Sequence, residues 1–460
     1  MLDILLQNIE DINTLEKAIM ELACNLMEEA LKTLEEELFK DKPDYLEVIH
    51  FKERTIATKL GEITYKRRYY RDKRTGNKLY LLDKKLGIRK RRRANGEFLK
   101  LLVTLADKLT FRQAEEVIKD AGFPSLSHQT IHKEVREFGE RESKLIKDKK
   151  ERVFTEGQKI KEGEKDNPDI LFIEADGVMV SSQEQEEKRM EIKVGLVYEG
   201  WGYCTPARKR KKLIKPRVIS GVYDGAEEFW EEFSTELARY YELEGTKIVL
   251  NGDGARWIQE KGKEYFPEII VQLDRFHIKK DISTTFGKEV ADNMYHILQR
   301  GDKKTFLDTL ESLICEGETA ELRRKRRSLV RHYKKNEDHL LDYRKRLPDG
   351  IEKKDLSGMG AIESYVDKVI ARRMKNQGMS WSRKGAEAMA RILMLRQLDK
   401  LKKRLSDEYY TIKNPIKKLK RRTKKKKRDW SQWLKASLPA LRGPDSGKDW
   451  VKALNSITSV

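Results

Sequence analysis

Apolar residues return every three or four positions from Leu5 through Ile9, Ile12, Leu15, Ile19, Leu22, Leu26, Ala30 and Leu34, which is one stripe of a helix in need of a packing partner. That partner is either the rest of its own domain or another helix, in a bundle or a dimer. The period then changes. Residues 55–59 and 62–70 are rich in β-branched and aromatic side chains around Gly61, and the run Lys73-Arg74-Thr75-Gly76-Asn77 precedes a further apolar stretch at 79–82. This pattern predicts a small antiparallel sheet. Residues 96–139 read as helical with one break at Gly122-Phe123-Pro124-Ser125, giving a helix-turn-helix in which Ser127 caps the second helix. Residues 140–167 are highly charged and poor in apolar residues, the mark of a linker.

Beyond the linker the pattern becomes that of an α/β domain. Ile170-Leu171-Phe172-Ile173-Glu174-Ala175-Asp176-Gly177-Val178 is a short apolar run that predicts a buried strand carrying an acid near its middle. Residues 192–198 and 217–223 predict two more strands, 226–243 an amphipathic helix, 246–250 a fourth strand and 269–273 a fifth. Three strands, a helix, a strand, a helix and a strand is the order of a ribonuclease-H-like core. Asp253 follows the fourth strand in Asn251-Gly252-Asp253-Gly254-Ala255, a strand end of the kind beyond which α/β sheets bind ligands. The 109 residues at 254–362 separate it from Glu363. Because most of 279–346 reads as charged helix, an all-helical insertion is expected there rather than a loop. Glu363 lies on a helix whose buried stripe is Ile362, Tyr365, Val366, Val369 and Ile370; Asp367 and Glu387 are the alternative third acids. The divisions expected are an N-terminal helical region at 1–50, a basic sheet module at 51–93 and the helix-turn-helix at 94–140, together an α+β DNA-binding region. A charged linker at 141–167, a catalytic core at 168–280 and 357–400, the helical insertion at 281–356 and a basic tail at 401–460 follow.

Charge says what such a chain would meet. Lys and Arg total 98 against 77 Asp and Glu, a net +21, and an excess of this size favours a polyanion through counterion release. Nucleic acid is the first expectation. A membrane is the weaker rival, since no apolar run approaches the roughly 20 residues of a spanning helix, and no secretory signal precedes the first helix. Cys24, Cys204 and Cys315 stand apart with no Cys-x-x-Cys pair, against both a disulfide framework and a zinc cluster. A reducing cytoplasmic location follows. Candidate DNA contacts are Lys66, Arg67 and Arg68 on the outward face of the sheet, and Gln129, Thr130 and Lys133 at the start of the second helix. Trp381 with Arg383, and the tail residues Lys420, Arg421 and Arg422, complete the set. The plainer alternatives are a solvated basic sheet and a core tryptophan.

Three acids on strand, strand end and helix are the arrangement that two hard cations need to cut and rejoin a phosphodiester, and oxygen ligands suit Mg²⁺ or Mn²⁺. The motifs Leu60-Gly61-Glu62-Ile63-Thr64, Arg67-Arg68-Tyr69-Tyr70, Tyr80-Leu81-Leu82-Asp83, Ile173-Glu174-Ala175-Asp176, Gly252-Asp253-Gly254-Ala255-Arg256-Trp257-Ile258, Leu273-Asp274-Arg275-Phe276-His277 and Met379-Ser380-Trp381-Ser382 resemble the ISLre-two-type insertion-sequence transposases, in the same order and from about residue 53 to 393. The resemblance implies a DDE transposase with Asp176, Asp253 and Glu363 as catalytic metal ligands. Its DNA partners would be the element's terminal inverted repeats and a target, and pairing two ends implies a dimer or larger assembly. Asp274 and His277 resemble an Asp-x-x-His signature of related transposases, with a role near the DNA; otherwise Asp274 is a helix cap and His277 packs in the first turn. A structure-selective nuclease and an inactive DNA-binding regulator are the alternative readings.

Overall fold

The structure, a computed structural model, describes residues 11–156, 165–204, 211–266, 268–314, 319–353, 355–375 and 378–410. Helix α1 (Ile12–Lys40) lies on a three-stranded antiparallel sheet of β1 (Leu46–Ala57), β2 (Glu62–Asp72) and β3 (Lys78–Tyr80), in that order. Cys24, Met27, Leu31, Leu34 and Leu38 of α1 pack on Ile56, Ile63, Tyr65 and Leu82. Strand β3 pairs with β2 only at Tyr69, Tyr70 and Arg71, so the rest of that edge needs other acceptors. The carboxylates of Glu28 and Glu35 supply them, accepting the backbone N–H of Thr64 and Arg68 at 2.5 and 3.0 Å. A glutamate is therefore the buried residue of this helix.

Two expectations fail here. Strand β1 begins inside the stretch read as helix up to 50, and 81–82 are not strand but the start of α2 (Leu81–Leu86). The cause of the second is an ion cluster. Asp83 of α2 is buried between Arg54, at 2.6 Å, and Arg67, contacts that local periodicity does not reveal.

Helices α3 (Gly96–Ala106), α4 (Phe111–Asp120) and α5 (His128–Phe154) follow. Thr110 and Gln113 form a capping box on α4, and Ser127 caps α5. Helix α5 continues without a break to Phe154, through most of the expected linker. Its stripe Ile131, Val135 and Phe138 is carried on by Ile146 into the same core, and its charges are paired at a distance: Glu142 with Arg404 at 2.8 Å and Lys150 with Glu231 at 2.9 Å.

The central sheet is mixed. Its strands are β4 (Ile170–Ser181), β5 (Arg189–Tyr198) and, after the hairpin β6 (Gly200–Tyr203) and β7 (Lys211–Ile214), β8 (Arg217–Gly221). Helix α6 (Ala226–Tyr240), β9 (Lys247–Gly252), α7 (Arg256–Tyr265) and β10 (Ile270–Leu273) complete it. The order is β10-β9-β4-β5-β8, with β4 antiparallel to β5, β5 antiparallel to β8, and β4, β9 and β10 parallel. Alternation along β4 splits its side chains between two cores. Leu171, Ile173 and Ala175 meet Phe229, Trp230, Phe233 and Ile258 of α6 and α7. Phe172 and Val178 face the other core, with Val135 and Phe138 of α5.

Four helices, α8 (Arg275–Phe286), α9 (Lys288–Arg300), α10 (Lys303–Ser312) and α11 (Ala320–Lys335), pack around their own core of Ile278, Ile282, Leu298, Phe306, Leu310 and Tyr333. The chain then returns to the sheet as α12 (Ala361–Val366), a π-helical turn (Asp367–Ala371) and α13 (Arg372–Met374), followed by α14 (Arg383–Gln397) and α15 (Leu401–Tyr410). Helices α5 and α14 touch at Gly139, where a Cβ would lie 2.3 Å from the Ala388 Cα. Among the described residues no helix is long and apolar enough to cross a membrane.

Candidate active site

Residues two apart on a strand share a face, so β4 presents two carboxylates together, Glu174 and Asp176. Glu174 is fully buried, and its hydrogen-bond neighbours all donate to it. Tyr198 Oη donates at 2.7 Å, Asn251 Nδ2 at 3.4 Å, and the backbone N–H groups of Gly360, Ala361 and Ile362 at 3.0, 3.1 and 3.2 Å. Those three amides open α12, where a helix has no internal acceptors and its dipole is positive. Glu174 thus fastens the start of α12 to the sheet. Burial pushes its carboxyl up, while Tyr198 and the amides pull it down. The next residue of that helix is Glu363.

Asp176 accepts the N–H of Gly177 at 2.7 Å. His277 arrives from the first turn of α8 with Nδ1 2.8 Å from Asp274 Oδ2; Asp274, itself 1% exposed, caps that helix through the Phe276 N–H and donates its own N–H to Gly252 O at 2.8 Å. With Nδ1 so engaged, Nε2 is the ring nitrogen left to face the site. Asp176, His277 and Glu363 each offer an atom within 4.8 Å of the others, and among the described residues they are the group of such side chains able to hold a metal ion. They line a cavity of about 400 Å³ whose rim carries Arg189, Lys280 and Lys375. Burial pushes Asp176 up to about 6, opposed by the Gly177 N–H and His277 and reinforced by Asp253 and Glu363. The Asp274 hydrogen bond raises His277 to about 9 against its burial, with Asp176 and Asp253 adding to the rise.

Asp253 follows directly on β9 as an exposed side chain that accepts the Ala255 N–H at 2.9 Å. It is close enough to perturb Asp176 and His277, yet it stands outside their three-residue group and lines the adjoining cavity. Asp367 shares the cavity of Glu363 but is exposed and paired with Arg372 at 2.9 Å. Glu387 is elsewhere, accepting from Ser143, Val222 and Arg391.

The donor set fits a divalent cation. Two carboxylates suit Mg²⁺ or Mn²⁺, an imidazole beside them tilts the preference toward Mn²⁺, and a carboxylate behind the histidine is the usual support of a ligating ring.

Over residues 4–406 the chain matches the family described as Uncharacterised protein family (UPF0236). The chain belongs to the UPF0236 family. It is 28% identical over 414 residues to the UPF0236 protein in the vanSb 3′ region of Streptococcus gallolyticus, spanning 85% of this chain and 84% of that one. It is 27% identical over 401 residues, 84% of this chain and 78% of the other, to a UPF0236 protein of Caldanaerobacter subterraneus subsp. tengcongensis whose name joins eleven locus designations. Another protein of that strain, named with four loci, is 27% identical over 344 residues, 73% of this chain and 66% of its own length.

In this UPF0236 chain the expected DNA contacts divide. Lys66, Gln129 and Lys133 are exposed and Thr130 is half-buried beside Ser127. Arg67 and Arg68 do not face outward. Arg67 is consumed by Asp83 and lies 3.6 Å over the Tyr80 ring; Arg68 pairs with Glu36 at 2.6 Å and Glu35 at 3.7 Å. Neither offers a free guanidinium to a phosphate. Trp381 is also inside, 5% exposed, its indole N–H donated to Met374 O at 2.9 Å and its backbone paired with Ser181. A base cannot stack on it without unpacking that core. Arg383 is half exposed and paired with Asp224, while Lys420, Arg421 and Arg422 lie outside the described residues. One candidate group is hidden in the sequence: Glu174 is legible there only as an acid two positions before Asp176, on the same strand face. His277, expected from its Asp-x-x-His pattern to lie near the DNA, stands at ligand distance from Asp176 and Glu363.

Proposed function

We propose that this protein is a DDE-type transposase: it binds the terminal inverted repeats of a mobile element, cuts DNA there with divalent metal ions, and joins the freed 3′ end to target DNA. The observation that carries the reading is the convergence of Asp176 from a central strand and Glu363 from a returning helix, with His277 at the same point and Asp253 just beyond the neighbouring strand. The strand order β10-β9-β4-β5-β8 with its helices on both faces supports a ribonuclease-H-like core. The four helices α8–α11, entering between Asp253 and Glu363, support a helical insertion into that core. A relative whose name carries eleven loci of one strain is what a gene copied through a genome would look like.

Asp176, Glu363 and Asp253 would hold the metal ions, which supply Lewis-acid activation of the attacking oxygen and stabilisation of the departing one. Asp274 holds the His277 ring through Nδ1, so that Nε2 faces the reacting phosphate or a ligand site. Arg189, Lys280 and Lys375 give the rim a positive potential that gathers the strand. Glu174 holds the Glu363 helix in register without touching substrate. The test is nicking of DNA taken from the flanks of the gene, with full-length protein and Mg²⁺ or Mn²⁺. Cleavage should occur at the repeat ends and vanish in Asp176→Asn and Glu363→Gln. Cleavage that ignores the repeats would make the protein a structure-selective nuclease, and binding without cleavage would make it a regulator.

A further inference from the structure

The adjoining cavity, of about 560 Å³, runs from the Asp253 turn between α7 and α11. One wall is therefore the helical insertion, in the form of His332, Lys335 and Asn336. The contact is close: at Gly254, whose φ is +95°, a Cβ would stand 2.8 Å from His332 Nε2, so only a glycine lets the imidazole approach the turn. The opposite wall holds Gln259, which is 5% exposed and whose Nε2 is buried with no hydrogen-bond partner. An amide N–H₂ left without an acceptor inside a protein costs about 1–3 kcal/mol, a cost that a ligand oxygen within its reach would relieve. His339 Nδ1 is likewise buried without a partner. Arg256 and Lys335 reach the mouth, 81% and 61% exposed and only loosely paired with Glu260 at 3.8 and 3.6 Å. The lining thus combines the nitrogen donors of Gln259, His332, Asn336 and His339 with three cations, Arg256, Lys263 and Lys335, against two carboxylates, Asp253 and Glu260.

We infer that this cavity binds a phosphate of the DNA strand next to the scissile one, with Gln259 and His332 donating to its oxygens and Lys335 and Arg256 balancing its charge. The inference rests on the reading of the protein as a DNA-cutting enzyme and deepens it. The helical insertion becomes a wall of the reaction site, guiding one strand past Asp253. Its chemistry is that of a phosphate ligand, which a nucleic acid or a free phosphate could supply.

The experiment uses full-length protein and element-end duplexes in which each phosphate flanking the cut is replaced in turn by an uncharged methylphosphonate. Wild-type protein should show an approximately tenfold loss of affinity at one such position, and Gln259→Met with Lys335→Ala should abolish that positional penalty while leaving the others. A penalty of the same size in wild type and variant, at every position, overturns the inference and leaves the transposase reading intact. If wild-type protein neither binds nor cuts element ends, the transposase reading falls instead, and inorganic phosphate decides the cavity alone. A rise in melting temperature with phosphate that Gln259→Met removes supports a phosphate site, and no Gln259-dependent rise overturns it. Melting curves of Gln259→Met, which keeps the side-chain volume, show that the variant is folded.

Discussion

Replacing Glu174 by glutamine isolates what the buried carboxylate does for the site. The side chain keeps its size but gains a donor, and its five neighbours all donate to it. An amide NH₂ on the Oε2 side would oppose the N–H groups of Gly360 and Ile362 and the Asn251 amide. On the Oε1 side it opposes only the Ala361 N–H, because the Tyr198 hydroxyl can turn to accept. The second arrangement is the cheaper one, and it leaves one buried N–H without an acceptor, at about 1–3 kcal/mol. Losing an anion at the helix start adds about 0.3–2 kcal/mol, and relief of the buried charge offsets part of both. A net loss of about 2 kcal/mol follows. Because α12 carries Glu363, its slackening reaches the chemistry, and a misplacement of about 1 Å lowers the rate about 100-fold. Melting in EDTA and single-turnover nicking at saturating Mn²⁺ read the two effects. Glu363→Gln serves as the contrast, losing activity while melting as wild type does. A Glu174→Gln protein that melts and cuts like wild type would show that the carboxylate does not hold α12 in place.

Metal titration should stabilise the protein by about 2.7 kcal/mol at 100 times the dissociation constant, and Glu363→Gln and His277→Ala should each diminish the gain; Asp367→Asn should not, and the reverse pattern would move the third acid to Asp367. The Asp176 carboxyl, raised from 3.8 to about 6 in the fold, stabilises the metal-free protein below its unfolded pKa and loses that contribution as pH rises through about 6. Its shift corresponds to at most about 3 kcal/mol, reduced by screening at a partly exposed group. In EDTA at pH 7.5, Asp176→Asn should therefore melt above wild type, a difference that closes by pH 4; no difference at either pH contradicts the assigned burial. Arg68→Ala leaves Glu35 buried without its guanidinium and should cost about 3 kcal/mol of stability, with DNA affinity per folded molecule unchanged. Lys133→Ala should do the opposite, keeping the melting temperature and lowering the salt slope of DNA binding by about one.

The elements near the site were legible where local pattern and chemistry agree. The apolar run around Asp176 and the Gly-flanked turn at Asp253 placed both acids correctly on strand and strand end, and the stripe of Ile362, Val369 and Ile370 gave the Glu363 helix. Non-local partners hid the rest. The charged second half of α5 resembles a linker because Arg404, which pairs with Glu142, lies far along the chain. Arg67 and Arg68 look like phosphate ligands because Asp83 and Glu35, which consume them, come from other elements. Glu174 was hidden for the same reason: the three amides it binds belong to a helix nearly two hundred residues later, brought back only after the chain has built α8–α11.

Strand transfer separates a transposase from a nuclease and from a DNA-binding regulator. Purified full-length protein, Mn²⁺, a DNA fragment ending in the repeat that flanks the gene, and an unrelated supercoiled plasmid are incubated together, and covalent joining is read by sequencing the junctions. A transposase yields junctions in which the repeat's 3′ end is linked to many plasmid positions, absent in Asp176→Asn and Glu363→Gln proteins that still bind the repeat. Wild-type protein that binds the repeat as tightly as Asp176→Asn and yields no nicked or joined product would contradict the transposase reading.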